Sequence, residues 1–140
     1  MIFISLPVTD LRVSTRFYEA IGCRKNARFS DSRVSSLTWS ETLTFQLMSR
    51  QYFATLTEKA VVDSRRAAAM LIALPMETRE KVDALVEAAW SHGGRVDVAE
   101  ARDLGFMYLR TFEDPDGHIF EAACLIAAGG ERSAFERLFA

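Results

Sequence analysis

With 140 residues, 49% hydrophobic and 26% charged side chains, the chain has the size and balance of one globular domain, which excludes a disordered protein. A net charge of −2, and no basic run longer than a pair such as Arg65-Arg66, exclude the broad cationic field that a phosphate backbone requires, so no nucleic-acid partner is expected. Cys23 and Cys124 stand far apart and outside any Cys-x-x-Cys pattern, which suits reduced, buried thiols in a cytoplasmic protein.

Residues 2–8 alternate, with Ile2, Ile4, Leu6 and Val8 on one face and Phe3, Ser5 and Pro7 on the other, as in a strand with one face in the core. This opening lacks a positively charged start and reaches Thr9-Asp10 at once, so it is read as a strand rather than a signal peptide or membrane span, and no membrane partner is expected. Thr9 or Asp10 can cap a helix that buries Leu11, Phe17, Ala20 and Ile21 and stops at Gly22. Three strands are predicted next, at about 24–30, 33–39 and 42–48, separated by Ser30-Asp31-Ser32 and Ser40-Glu41. Residues 49–68 form a linker in which Tyr52-Phe53 and Leu56 fit either a short helix over a cavity or a plain linker helix.

The second half repeats the order. Met70–Met76 is a strand, Thr78 to His92 is a helix with the stripe Val82, Leu85, Val86 and Ala89, and Gly93-Gly94 ends it. His92, in the last turn, reads as a helix cap. Strands near 95–98, 106–112 and 118–125 follow, the last two joined by Asp114-Pro115-Asp116-Gly117, whose acids are explained by turn chemistry. Ile4-Ser5-Leu6-Pro7-Val8 lines up with Ile72-Ala73-Leu74-Pro75-Met76, so the chain contains a repeated unit. The fold expected is α+β, a single domain over 1–140 with one βαβββ module at about 1–48 and another at about 69–125. Their two sheets pack or curve around a shared cavity, and a tail follows at 126–140. Within the tail, 131–139 suits a helix, and Phe135, Leu138 and Phe139 would mark a protein-binding patch if exposed.

Two motifs carry a family resemblance. Leu6-Pro7-Val8-Thr9-Asp10-Leu11 with Ser14-x-x-Phe17-Tyr18 and Gly22, and Phe112-Glu113-Asp114-Pro115-Asp116-Gly117-His118-x-x-Glu121, resemble the first helix entry and the final hairpin of the glyoxalase/bleomycin-resistance/dioxygenase (vicinal oxygen chelate) superfamily. The resemblance spans about residues 1–125 and implies a homodimer in which modules of two chains complete each cavity. It also implies that metal-dependent relatives would hold their ligands at the positions of Phe3, Gln46, Leu71 and Glu121. Only Glu121 is an ordinary ligand; Phe and Leu have no lone pair to donate, so no metal or other cofactor is expected.

Strand alternation puts Thr44, Gln46 and Met48 beside Phe3 and Ser5, and Ile119, Glu121 and Ala123 beside Leu71 and Ala73, as the lining of small-molecule cups. Tyr108 and Arg110 are further candidates, offering a hydroxyl and a cation. His118 alternates away from Glu121 and is expected to face solvent or a helix. Glu121 can be a base, a ligand acceptor or a structural carboxylate; enclosure by Phe3, Leu71 and Ile119 would raise its pKa. The residues favour a binding protein for a small, largely apolar compound. The alternative is a lyase, isomerase or dioxygenase of the glyoxalase type that uses Glu121 as base or residual ligand.

Overall fold

The structure, a computed structural model, describes residues 1–126. The expected tail helix and its patch of Phe135, Leu138 and Phe139 lie outside the described residues.

The first module runs β1 (Ile2–Val8), α1 (Leu11–Ala20), β2 (Arg24–Lys25), β3 (Val34–Thr38) and β4 (Leu43–Ser49). The second runs β5 (Leu71–Met76), α3 (Arg79–Ser91), β6 (Arg95–Val96), β7 (Arg102–Asp103), β8 (Met107–Glu113) and β9 (Ile119–Leu125). Between them lie α2 (Arg50–Phe53) and one turn of 3₁₀ helix at Ala54–Leu56. Asp10 caps α1 by accepting from the amides of Arg12 and Val13 at 3.0 and 3.1 Å, and Thr78 caps α3 by accepting from the amide of Lys81. His92 is the C-cap of α3, its Nδ1 2.9 Å from the carbonyl of Ala88.

The sheets have the orders β1-β4-β3-β2 and β5-β9-β8-β6, with β7 also paired to β8. In each, the first and last strands of the module are parallel neighbours, β1 with β4 and β5 with β9, so the repeat seen in the residues is a repeat of topology. Two expected strands are much shorter than read. The first, at 24–30, pairs only at Arg24-Lys25 before Ala27–Phe29 turns into a 3₁₀ helix, and the one at 95–98 pairs only at Arg95-Val96. Asp97 has a φ of +50°, which takes it out of strand geometry, and the short β7 was not anticipated.

One core joins the modules. Phe45 on β4 meets Phe120 on β9 edge to face at 5.8 Å, Phe120 stacks on Phe112 at 5.1 Å, and Phe17 and Tyr18 of α1 reach Phe112 and Phe120. Each fully buried phenylalanine contributes about 2–3 kcal/mol of transfer free energy, so this cluster binds the two halves strongly. Phe45 and Phe120 thus join the buried faces of the two sheets, which otherwise lie against α1 and α3. Alternate residues on every strand therefore point away from the shared core. The chain also comes close to itself at Gly94, where a Cβ would lie 2.5 Å from the carbonyl oxygen of Glu113 and 2.8 Å from the Phe17 ring. Among the described residues no helix is long and apolar enough to cross a membrane.

Candidate ligand-binding site

The candidate residues of the first module come together on the outer face of its sheet. Register pairs Phe3 with Thr44 and Ser5 with Gln46, and Pro7 with Met48. A cavity of about 410 Å³ forms there, lined by Phe3, Thr44 and Gln46 with Met1, Asn26, Phe29, Ser36 and Thr38. Phe3 is 61% exposed, on a strand whose other face is buried at Leu6 and Val8. The polar groups of this cavity are hydroxyls and amides, and the Gln46 amide nitrogen donates to the Ser36 hydroxyl at 3.3 Å. Ser5 and Met48 lie on the same face but outside that lining.

In the second module, Leu71 pairs with Ile119 and Ala73 with Glu121, again on the outer face. Thr111 and Leu109 continue this face on β8, opposite Glu121 and Ala123, and Met107, Leu109 and Ala123 form a small second apolar cluster. Glu121 is half-buried. Phe3 does not enclose it, because the outer faces of the two sheets point in opposite directions from one core.

Tyr108 and Arg110 do not belong to this face. They pair with Cys124 and Ala122, whose side chains are in the core, so both lie on the helix side of the sheet. There the Tyr108 hydroxyl donates to Asp83 at 2.7 Å, and the Arg110 guanidinium donates to Asp83 at 3.0 Å and to Asp97 at 3.0 and 2.9 Å. Both acids are held below the ordinary carboxylate range, Asp83 first by the Tyr108 hydrogen bond and Asp97 first by Arg110. These groups brace α3 and the strand ends; they are not free for a ligand.

The hairpin after β8 joins the modules. Asp114 Oδ2 accepts from the Tyr18 hydroxyl at 2.8 Å, and its Oδ1 accepts from the amides of Asp116 and His118 at 2.9 Å. Asp116 Oδ1 accepts from the amide and hydroxyl of Thr9 at 2.8 and 2.7 Å, and its Oδ2 lies 3.3 Å from the Ser14 hydroxyl. Burial pushes the Asp114 carboxyl up, and burial together with the Asp114 charge pushes the Tyr18 phenol well above its usual range. The two motifs singled out in the sequence are thus partners, each supplying the groups that the other needs. Thr9, a possible helix cap, serves the hairpin, while Asp10 caps the helix. Among the described residues every buried side-chain nitrogen or oxygen has a hydrogen-bond partner.

His118 is half-buried, and its Nε2 donates to the Pro7 carbonyl at 2.8 Å across the boundary between the modules. It lines a second cavity of about 360 Å³ between the linker and the ends of β1 and β9, which of the sequence candidates only Ser5 and Ile119 reach. Phe53 lines this cavity as expected of the linker, whereas Leu56 is 55% exposed and Tyr52 lies under Arg33, 4.7 Å from its guanidinium carbon. Only its place in the turn was visible in the sequence; the contact with Pro7 depends on packing. Cys23 and Cys124 are buried, and burial raises the Cys23 thiol to about 12, which leaves it inert.

The positions equivalent to a metal site do not make one. Phe3 and Leu71 carry no donor atom, which leaves Gln46 and Glu121, on different sheets, as the only donors of the four, and among the described residues no three His, Cys, Asp or Glu side chains converge. The residues present do not fit a divalent metal of the kind used by metal-dependent relatives.

Comparison with known proteins agrees with this architecture. The sequence profile of the glyoxalase/bleomycin resistance protein/dioxygenase superfamily matches residues 2–122. No functionally curated protein matches. Among solved structures, a hypothetical protein from S. aureus is 27% identical, covers 89% of this chain and 92% of its own, and superposes with a TM-score of 0.76. A glyoxalase-related enzyme from Fulvimarina pelagi is 25% identical over 89% of this chain and 86% of its own, with a TM-score of 0.75. The fosfomycin resistance protein FosX from Listeria monocytogenes, 22% identical over 95% of this chain and 96% of its own with a TM-score of 0.64, shares the fold.

Proposed function

The chain belongs to the glyoxalase/bleomycin resistance protein/dioxygenase superfamily, and from that premise we propose that it binds a small, largely apolar molecule on its outer sheet faces without a metal. The observation that carries this reading is the cavity of the first module: aromatic and thioether groups with hydroxyls and amides, and no charged side chain in its lining. Such a lining desolvates an apolar or aromatic body cheaply and orients it through a few hydrogen bonds.

The complete cup is formed by two copies of the chain. Within one chain the cup faces point apart, and β1 and β5 each have one unpaired edge next to exposed apolar residues, including Phe3 and Leu71, the latter 48% exposed. Charge complements this arrangement. The first module, residues 1–49, carries six basic and four acidic side chains, and the second, residues 71–126, carries five and eleven, so the first module of one copy is attracted to the second module of the other.

Thermal-shift screening of uncharged aromatic compounds tests the reading. Hits whose stabilisation disappears in Thr44→Trp, which fills the first-module cavity, support it; a screen that yields no hit sensitive to that substitution rejects it. Sedimentation equilibrium tests the pairing: a species of about twice the chain mass that dissociates more readily in high salt is expected. The enzymatic alternative rests on Glu121, half-buried on the other face and without a convergent ligand set. Turnover of a glyoxalase-type substrate that is abolished by Glu121→Ala would establish it in place of simple binding.

A further inference from the structure

The cavity at the junction of the modules has fixed walls. Arg50 donates to the carbonyls of Val61 and Val62, both at 3.0 Å, and pins the first half of the linker. Arg65 donates to the Pro115 carbonyl at 3.1 Å, with its guanidinium 3.8 Å from Asp116. Beneath it, Gly117 lets the linker lie against the hairpin: its φ is +87°, and a Cβ there would come within 2.6 Å of the Ser64 carbonyl oxygen. The half-open space of about 360 Å³ is walled largely by Phe53, Val61, Val62 and the alanines at 67–69. That volume falls in the lower range of small-molecule pockets, whose ligands are held mainly by apolar contact and a few polar anchors.

His118 supplies the anchor. A carbonyl only accepts, so the bond to Pro7 requires the proton on Nε2, and in the neutral ring Nδ1 is then an acceptor. Among the described residues Nδ1 makes no hydrogen bond of its own. We propose that this cavity is a second small-molecule site, sharing no lining residue with the cavity of the first module, that takes a compact aromatic compound with one hydroxyl donor, of the phenol class, its hydroxyl received by His118 Nδ1. A carboxylate is disfavoured because Lys59, the one permanent cation of the lining, is exposed, and the walls offer no buried counter-charge. A plain hydrocarbon would leave the acceptor unused.

The probes are 1-naphthol and 1-methoxynaphthalene, which differ by one hydrogen-bond donor, titrated into the wild-type protein by calorimetry. Naphthol is expected to bind about fivefold more tightly than the ether, the factor of one uncharged hydrogen bond. In His118→Phe the two should bind alike, a ratio taken within one variant. Ala68→Trp, at an exposed linker position, should abolish binding of both, while Thr44→Trp on the first-module face should leave both intact. No binding to the wild type, equal binding of the two probes, persistence in Ala68→Trp or loss in Thr44→Trp would each overturn the proposal. The last would place the probe on the sheet face, as the proposed function has it; the other three bear on this cavity alone.

Discussion

The two acid-rich regions of the second module use the same side chain in opposite ways. At the hairpin, Asp114 and Asp116 are nearly without solvent, 2% and 4% exposed, and are satisfied mainly by hydroxyls and backbone amides of both modules. Around Arg110, Asp83 and Asp97 stay substantially exposed and face a guanidinium. Burial raises Asp114 while Tyr108 and Arg110 lower the other two, so environment rather than residue type decides what an aspartate contributes. The buried pair joins the halves of the molecule, and the exposed pair only trims one edge.

Asp114→Ala should have the largest effect, because it leaves the Tyr18 hydroxyl and two backbone amides without their acceptor; a loss of about 3 kcal/mol in urea unfolding is expected. A loss below a third of that would mean that the aromatic core alone joins the modules. Tyr18→Phe removes one donor and keeps the ring, so a cost of about 1–2 kcal/mol should follow in the same measurement.

Acidity separates the regions by sign. Asp114 binds its proton more readily folded than unfolded, so its contribution to stability is present at low pH and is lost as pH rises through its folded pKa. Asp83 and Asp97 act in reverse: their contribution is present above the ordinary carboxylate value and is lost as pH falls through their lowered folded values. Melting temperatures between pH 3 and 7 should therefore show Asp114→Asn losing ground to the wild type as pH falls from neutrality, and Asp97→Asn gaining on it at the acid end. Parallel curves would reject the assignment. At neutral pH, Asp97→Asn should cost about 0.5 kcal/mol, less in 1 M salt, as an exposed ion pair does.

Much of the fold could be read directly. Alternation at 2–8 and 70–76, the helix caps Asp10 and Thr78 and the repeated Leu-Pro strand all produced the expected elements, because each is local. Arg24-Lys25 and Arg95-Val96 were overextended because the pairing length of an edge strand depends on its neighbour. The outer-face residues Phe3, Thr44, Gln46, Leu71, Ile119 and Glu121 followed from strand period, whereas the side of the sheet taken by Tyr108 and Arg110 could not be read: the strand's apolar residues alternate on both faces, with Met107, Leu109, Tyr108 and Phe112 all partly or fully buried. His118 was undervalued since its partner, Pro7, lies 111 residues away.

By itself the sequence determined the α+β class, the doubled βαβββ order, the family and the lack of donors at Phe3 and Leu71, since all of these follow from short-range periodicity and residue chemistry. Only the tertiary structure decided that one aromatic core joins the two sheets, that Asp114 and Asp116 join the modules, and that the linker and His118 line a cavity. Those features depend on contacts between residues about a hundred positions apart, and such contacts exist only once the core has packed.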